Sequence, residues 1–345
     1  MDGDRYAGLT FPHDGIPAEG EAIEVAPGIL WIRLPLPMRL DHVNVYALDD
    51  GDSWTVVDTG FNSKRGQDIW QRLMDGPLAG KPIGRVIVTH HHPDHVGMAG
   101  WLKSEHGAEV WSTRTAWLLA RMLVLDVQDR PTAETLEFYR ATGMPEEIYQ
   151  ERANTRPMNF ADIVAPIPVG FQRIVEGDTL NMAGRDWIVR IGNGHAPEHA
   201  TFWSDDGIVL AGDQVIPGIS SNLGVYPTEP EADPVGEWLE SCMRLKKFAE
   251  PDHLVLPGHK MPFYGLETRL NQLIDNHHHA LERLLAHLKS EQTADSCFAP
   301  LFKRKIGGGE YGLALVEAYG HLNHLFQLGQ VTRRRREDGA WLWQA

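Results

Sequence analysis

The chain has 345 residues, 42% hydrophobic and 23% charged, and its 47 acidic against 32 basic residues leave a formal charge of −15. These values describe an ordinary globular protein, long enough for one large domain or two modest ones. They disfavour nucleic acid as a bulk electrostatic partner, because a negative field repels phosphate backbones. Two cysteines, Cys242 and Cys297, are too few for a disulfide framework and fit a reducing compartment. The acidic start Met1-Asp2-Gly3-Asp4 has no apolar signal segment, and no apolar run is long enough to span a membrane. A cytoplasmic location is expected.

Residues 1–20 are polar and rich in Gly and Pro, which predicts a flexible arm. From 22 to 58 the pattern reads as strands, with Ile29–Leu34, Val43–Leu48 and Ser53–Val57 the clearest, and Asp49-Asp50-Gly51-Asp52 as a hairpin turn. Lys64–Met74 reads as a helix. Val86–Thr89 reads as a short buried strand. One helix is expected over Val96–His106, stopped by Gly107. Three helices are expected between 113 and 160, a helical insertion with little strand signal. Strands return at Arg185–Ile191, Ala200–Ser204 and Ile208–Leu210. A helix over Pro234–Phe248 and a strand at Leu254–Leu256 follow. After 265 the pattern changes to helices over Leu266–Ser290 and Gly312–Leu328, then a hairpin about Glu337-Asp338-Gly339.

The chemistry concentrates in His90-His91-His92-Pro93-Asp94-His95, an H-x-H-x-D-H cluster directly after an apolar strand. Imidazoles and a carboxylate crowded together need partners when buried, so packing is a poor explanation for them. In extended backbone His90 and His92 point one way and His91 the other. Three more candidates each follow a strand-like run: His195 in Gly194-His195, Asp213 in Gly212-Asp213, and His259 in Pro257-Gly258-His259. The run His277-His278-His279 lies inside a helix, where consecutive side chains diverge, and reads as helix surface and packing.

Taken in order, these four motifs resemble the metallo-β-lactamase-fold superfamily over roughly residues 20–265, and Val56-Val57-Asp58-Thr59-Gly60 looks like its early strand-end motif. The resemblance implies an α/β fold, a four-layer αβ/βα sandwich of two mixed sheets with helices outside. Residues 21–265 would be the catalytic domain, with the insertion at 113–160 beside the active site. Residues 266–345 would form a C-terminal helical region resembling a winged helix. Two metal ions are implied, zinc in the first instance, with iron or manganese as alternatives. His90, His92 and His195 would hold one ion; Asp94, His95 and His259 the other; Asp213 would bridge them. Asp58 and His199 would stand behind the ligands and hold them. A bridging hydroxide, oriented by Asp94, would attack a carbonyl or phosphoryl centre. Ser221, Asn222 and Tyr226, in the loop after Asp213, would face substrate.

Asp213 also separates branches of the superfamily. Class B β-lactamases carry Cys or Ser at that place, whereas thioesterases of the glyoxalase II type, lactonases and nucleases keep the carboxylate. The expected function is therefore a dinuclear zinc hydrolase of a small acyl compound: a thioester, ester or lactone. Two other functions fit parts of the pattern. An endoribonuclease or phosphodiesterase of the β-lactamase-like-protein-2 type would use the C-terminal tail and the basic run Arg333–Arg336. A persulfide dioxygenase shares H-x-H-x-D-H but uses one iron. A homodimer is expected from the apolar surfaces of insertion and tail.

Overall fold

Alternating side chains build the centre of the fold. The computed structural model describes residues 6–345. The first sheet contains, in spatial order, β1 (Ala22–Ala26), β2 (Ile29–Pro35), β3 (His42–Asp49), β4 (Trp54–Val57), β5 (Ile83–Ile87), β6 (Glu109–Ser112) and β7 (Gln172–Arg173). Its first four strands form an antiparallel meander, and the last three add on in parallel. The second sheet runs β13 (Phe263–Tyr264), β12 (Leu254–Pro257), β11 (Ile208–Gly212), β10 (His199–Ser204), β9 (Arg185–Gly192) and β8 (Thr179–Met182). In β3, Tyr46 and Leu48 face the second sheet and pack with Trp187, Phe202 and Leu256. Val43, Val45 and Ala47 point the other way and pack with Ile69, Trp70 and Leu102 of the outer helices. That period of two is what a sheet buried on both faces requires.

Helices cover the first sheet from outside: α1 (Lys64–Asp75), the short α2 (Pro93–Val96), α3 (Ala99–His106) and α4 (Arg114–Leu125). The Ser63 hydroxyl accepts from Gly66 N–H and starts α1. Gly107 closes α3 in the left-handed region. Sequence predicts a single helix over 96–106, but the chain breaks between α2 and α3. The Asp94 carbonyl accepts from Gly60 N–H, and Met98 N–H donates to the Thr59 hydroxyl, so the bond that would join the two helices is not made.

Backbone contacts divide the chain into two units. The first comprises the described residues up to Val127, then 159–221 and 245–270, and holds both sheets. Its segment before Gly20, expected as a flexible arm, is fastened where it is described: Thr10 bridges Tyr264, and Phe11 lies 6.5 Å from Phe263. Residues 1–5 of that arm lie outside the described residues.

The second unit comprises 128–158, 222–244 and 271–345. It contains α5 (Ala133–Ala141), α6 (Glu146–Asn154), most of α7 (Pro234–Lys246), most of α8 (Leu266–His287), α9 (Phe298–Phe302), α10 (Tyr311–Gln327) and the hairpin β14 (Thr332–Arg335) with β15 (Trp341–Gln344). The three helices expected between 113 and 160 are present, but α4 belongs to the first unit and α5 and α6 to the second. Among the described residues, no helix is long and apolar enough to cross a membrane. The αβ/βα sandwich with a C-terminal helical region is the fold that the motifs imply.

Candidate metal centre

Strand ends place the site. β4, β5, β11 and β12 end at Val57, Ile87, Gly212 and Pro257, and Asp58, His90, Asp213 and His259 follow within three residues. Ligands commonly bind outside the carboxyl ends of strands in α/β sheets, because side chains just beyond a strand escape its ladder and can converge.

Three groups of ligand atoms come together. His90, His92 and His195 form one; His90, His95 and Asp213 another; Asp94, His95 and His259 a third, with the atoms of each group within 4.8 Å of one another. In the first, His92 Nδ1 lies 3.0 Å from both His90 Nε2 and His195 Nε2. The Asp213 carboxylate stands in the middle. Its Oδ2 is 3.5 Å from His195 Nε2 and 3.2 Å from His259 Nε2, and its Oδ1 is 3.4 Å from His95 Nε2. Asp94 Oδ2 lies 3.4 Å from His259 Nε2 and 3.6 Å from His95 Nε2. All seven residues expected as ligands are thus brought together. His91 takes part in none of these groups, as strand alternation predicts.

The donor set fits divalent cations. His95 Nε2 and Asp213 Oδ1 are buried and make no hydrogen bond, an arrangement that is costly unless something else is coordinated there. Ring nitrogens bound to one tetrahedral ion at about 2.0–2.1 Å must themselves lie only a little over 3 Å apart. Electrostatics agree. Burial pulls the His95 imidazole toward neutrality, but Asp213, Asp94 and Asp58 hold its pKa well above the usual value. Burial and then Asp213 act likewise on His259, whose pKa rises to about 10. Here the carboxylates favour positive charge. Burial and then the neighbouring imidazoles keep His90 and His92 well below the ordinary value, so they are neutral donors.

A second ring of residues holds the first. Asp58 adopts a left-handed backbone (φ 63°), unusual for a residue with a side chain. Its carboxylate accepts from His95 Nδ1 at 2.7 Å and from the Thr89 N–H and hydroxyl. That bond fixes the His95 tautomer and leaves Nε2 facing Asp213. His199 Nε2 accepts from Asp213 N–H at 3.0 Å, and its ring stacks on His90 at 4.6 Å. The glycines of the motifs have steric work. A Cβ on Gly258 would lie 2.2 Å from Asp213 Oδ1, and one on Gly212 would lie 2.7 Å from the His199 ring.

Of the loop expected to face substrate, Ser221 is buried and its hydroxyl donates to the Asp213 carbonyl. It supports the loop's turn. Asn222 and Tyr226 belong to the second unit. The Asn222 amide donates there to Leu313 O and to Glu317, and Tyr226 is exposed.

Sequence reasoning missed several supports. Glu198, at φ 50°, accepts from Thr115 N–H at the start of α4, while its own N–H donates to Asn193 Oδ1. Together these bonds anchor the loop that carries His195. The Thr59 hydroxyl donates to His95 O and accepts from Met98 N–H, tying the α2 turn to β4. Polar residues adjoining the motifs were the available signal.

A family model described as the metallo-beta-lactamase superfamily matches residues 38–259. The chain belongs to the metallo-beta-lactamase superfamily. A second model, the metallo-beta-lactamase-like C-terminal domain, matches residues 281–345. The probable metallo-hydrolase YqjP of Bacillus subtilis (strain 168) is 23% identical over 307 residues, spanning 86% of this chain and 92% of that protein. A crystal structure of a beta-lactamase domain protein from Burkholderia ambifaria is 34% identical with a TM-score of 0.90, covering 99% of both chains. A metallo-beta-lactamase family protein from Thermus thermophilus is 26% identical with a TM-score of 0.77, covering 93% of this chain and 99% of that one. As a member of this superfamily the chain is a metal-dependent hydrolase, and its His and Asp groups are candidates to bind divalent metal.

Proposed function

We propose that the chain is a dinuclear zinc hydrolase of a small acyl compound: a thioester, an ester or a lactone. The observation that carries this reading is the position of Asp213, whose carboxylate lies within 3.5 Å of His195 on one side and of His95 and His259 on the other. A carboxylate so placed can serve two ions at once. His90, His92 and His195 would hold one ion and Asp94, His95 and His259 the second. When bound, two such ions supply Lewis acidity toward the electrophile and acidify water near neutral pH.

The protein's own residues do the rest. His90, His95 and His259 are buried, whereas His92, Asp94 and His195 retain some exposure, so the site is reached from their side. The Asp94 side chain keeps 17% of its surface accessible. With Oδ2 turned to His95 and His259, its other carboxylate oxygen would orient an attacking water and take up its proton. Asp58 and His199 hold His95 and Asp213 in register while charge develops. The formal charge of −15 suits a small-molecule substrate better than a polyphosphate. In the second unit, helices followed by a hairpin support the winged-helix reading of the tail. Its arginines Arg333–Arg336 are engaged by acids, which argues against a nucleic-acid surface.

The test is elemental analysis of the purified protein, paired with turnover of a thioester, a lactone and a single-stranded RNA. About two zinc ions per chain with thioester or lactone hydrolysis is the expected result. Cleavage of RNA alone would move the function to the nuclease branch, and one iron with oxygen consumption and no hydrolysis would make it a dioxygenase.

A further inference from the structure

Strand β3 sends three side chains of one face, His42, Asn44 and Tyr46, toward the turn that carries His259. Asn44 is buried, with 1% of its surface exposed. Its Nδ2 donates to Pro257 O at 2.8 Å and to Lys260 O at 2.9 Å, and its own N–H donates to Gly258 O at 2.7 Å. Trp31 Nε1 donates to Oδ1 at 2.8 Å and fixes which way round the amide sits. Every donor of Asn44 is thus spent on the backbone of one four-residue turn. Tyr46 adds a bond from its hydroxyl to Pro257 O at 2.9 Å.

The turn needs such support. Lys260 has φ 72°, a region that L side chains rarely adopt. Its N–H donates to His42 Nε2 at 2.9 Å. His259 Nδ1 donates to His42 O at 2.6 Å, which leaves Nε2 as the atom facing Asp213 and Asp94. Gly258 leaves no room for a side chain, because a Cβ there would lie 2.2 Å from Asp213 Oδ1. The turn is held between the metal ligands on one side and β3 on the other.

We infer that Asn44 is a positioning residue, which sets the place of His259 Nε2 and so the affinity of the second metal equivalent. The inference rests on the proposed two-metal reading. Outer partners of metal ligands act in this way because an imidazole displaced by a fraction of an ångström loses its bond geometry. No other side chain type of this size offers two donors and one acceptor. Aspartate would set a carboxylate against the carbonyls of Pro257 and Lys260.

Metal-stripped protein titrated with zinc by calorimetry, and with cobalt by its visible absorption, tests the inference. In Asn44→Asp the second equivalent should weaken about 10–100-fold, while the first stays unchanged. The cobalt bands of that second equivalent should also shift. Val45→Ala, in the same strand but facing the helices, serves as the stability control and should keep both affinities. An unchanged second affinity in folded Asn44→Asp overturns the inference, as does an equal loss in Val45→Ala. If Asn44→Asp does not fold, Tyr46→Phe removes a single bond to the turn. It should weaken the second equivalent several-fold, and no change there likewise overturns the inference. A wild-type protein that takes up only one ion overturns the two-metal reading and this inference with it.

Discussion

The Asp58 carboxylate accepts from His95 Nδ1 at 2.7 Å, with both side chains almost completely buried. A left-handed non-glycine residue at the end of β4 thereby orients a candidate ligand that lies 37 positions later in the sequence. Asp58→Asn keeps the volume but places an amide donor among groups that already donate. It should lower metal affinity about 10–100-fold. The measurement is zinc content after dialysis against a graded chelator series. Retention equal to wild type would mean that the Asp58 bond does not govern metal binding.

Asp213 is placed between the two histidine sets, so its loss should be felt on both. Asp213→Ala is expected to reduce the content of both ions and to abolish hydrolysis. Gly258→Ala should mimic part of this defect, because the added Cβ would lie 2.2 Å from Asp213 Oδ1. Metal analysis of the two variants side by side provides the check. Full metal content and activity in Asp213→Ala would remove the bridging assignment.

How much of this was legible in the sequence differs by kind of interaction. The strands with unbroken apolar runs, such as Ile208–Leu210 and Leu254–Leu256, are readable because burial on both faces leaves a continuous signal. Short strands of mixed composition are not. β6 (Glu109–Ser112) and β8 (Thr179–Met182) carry four mixed residues each, too few for periodicity to register. The ligands were legible because the motifs put His and Asp just beyond strands. Asn44 was not, because an asparagine inside an apolar strand gives no hint that its partner is a turn more than 200 residues away. The same limit applies to Arg333–Arg336. Their charge is visible in sequence, but the acids that engage them are scattered along the chain.

Each of those arginines meets a carboxylate of the second unit. Arg333 pairs with Glu231 at 2.7 Å, Arg334 with Glu291 at 2.5 Å, Arg335 with Glu137 at 3.8 Å, and Arg336 with Asp338 at 2.7 Å. Arg333 also lies over the rings of Phe326 and Trp341 at 4.4 Å and Trp343 at 5.2 Å. Arg333→Ala should therefore destabilise the protein, by about 1–2 kcal/mol from the ring contacts. Arg336→Ala, an exposed pair, should cost little. Neither should change retention on single-stranded RNA. Urea unfolding and filter binding distinguish the cases, and a marked loss of RNA binding in either variant would revive the nuclease reading.

Acid should weaken the second unit through His321. This imidazole is buried on α10 and stacks on His277 of α8, with Nε2 3.2 Å from His277 Nδ1, while its own Nδ1 donates to Glu317 O. Burial, then the charges of His324 and Arg283, lower its pKa from 6.5 to about 4; the Glu317 carbonyl and Asp233 only partly oppose them. A base whose folded pKa is depressed favours folding above its free pKa, since only the unfolded chain takes up the proton readily. The stabilisation is complete above about pH 6.5 and is lost as the pH falls toward 4. At about 1.4 kcal/mol per pH unit, the loss amounts to about 3 kcal/mol over that window. His321→Asn keeps an amide near the Nδ1 position but cannot titrate. Its stability relative to wild type should improve by about that amount between pH 7.5 and pH 4. Urea unfolding of both proteins across this range measures the difference, in which the titration of the metal centre cancels because it is common to both. A difference independent of pH would show that His321 does not carry the acid sensitivity.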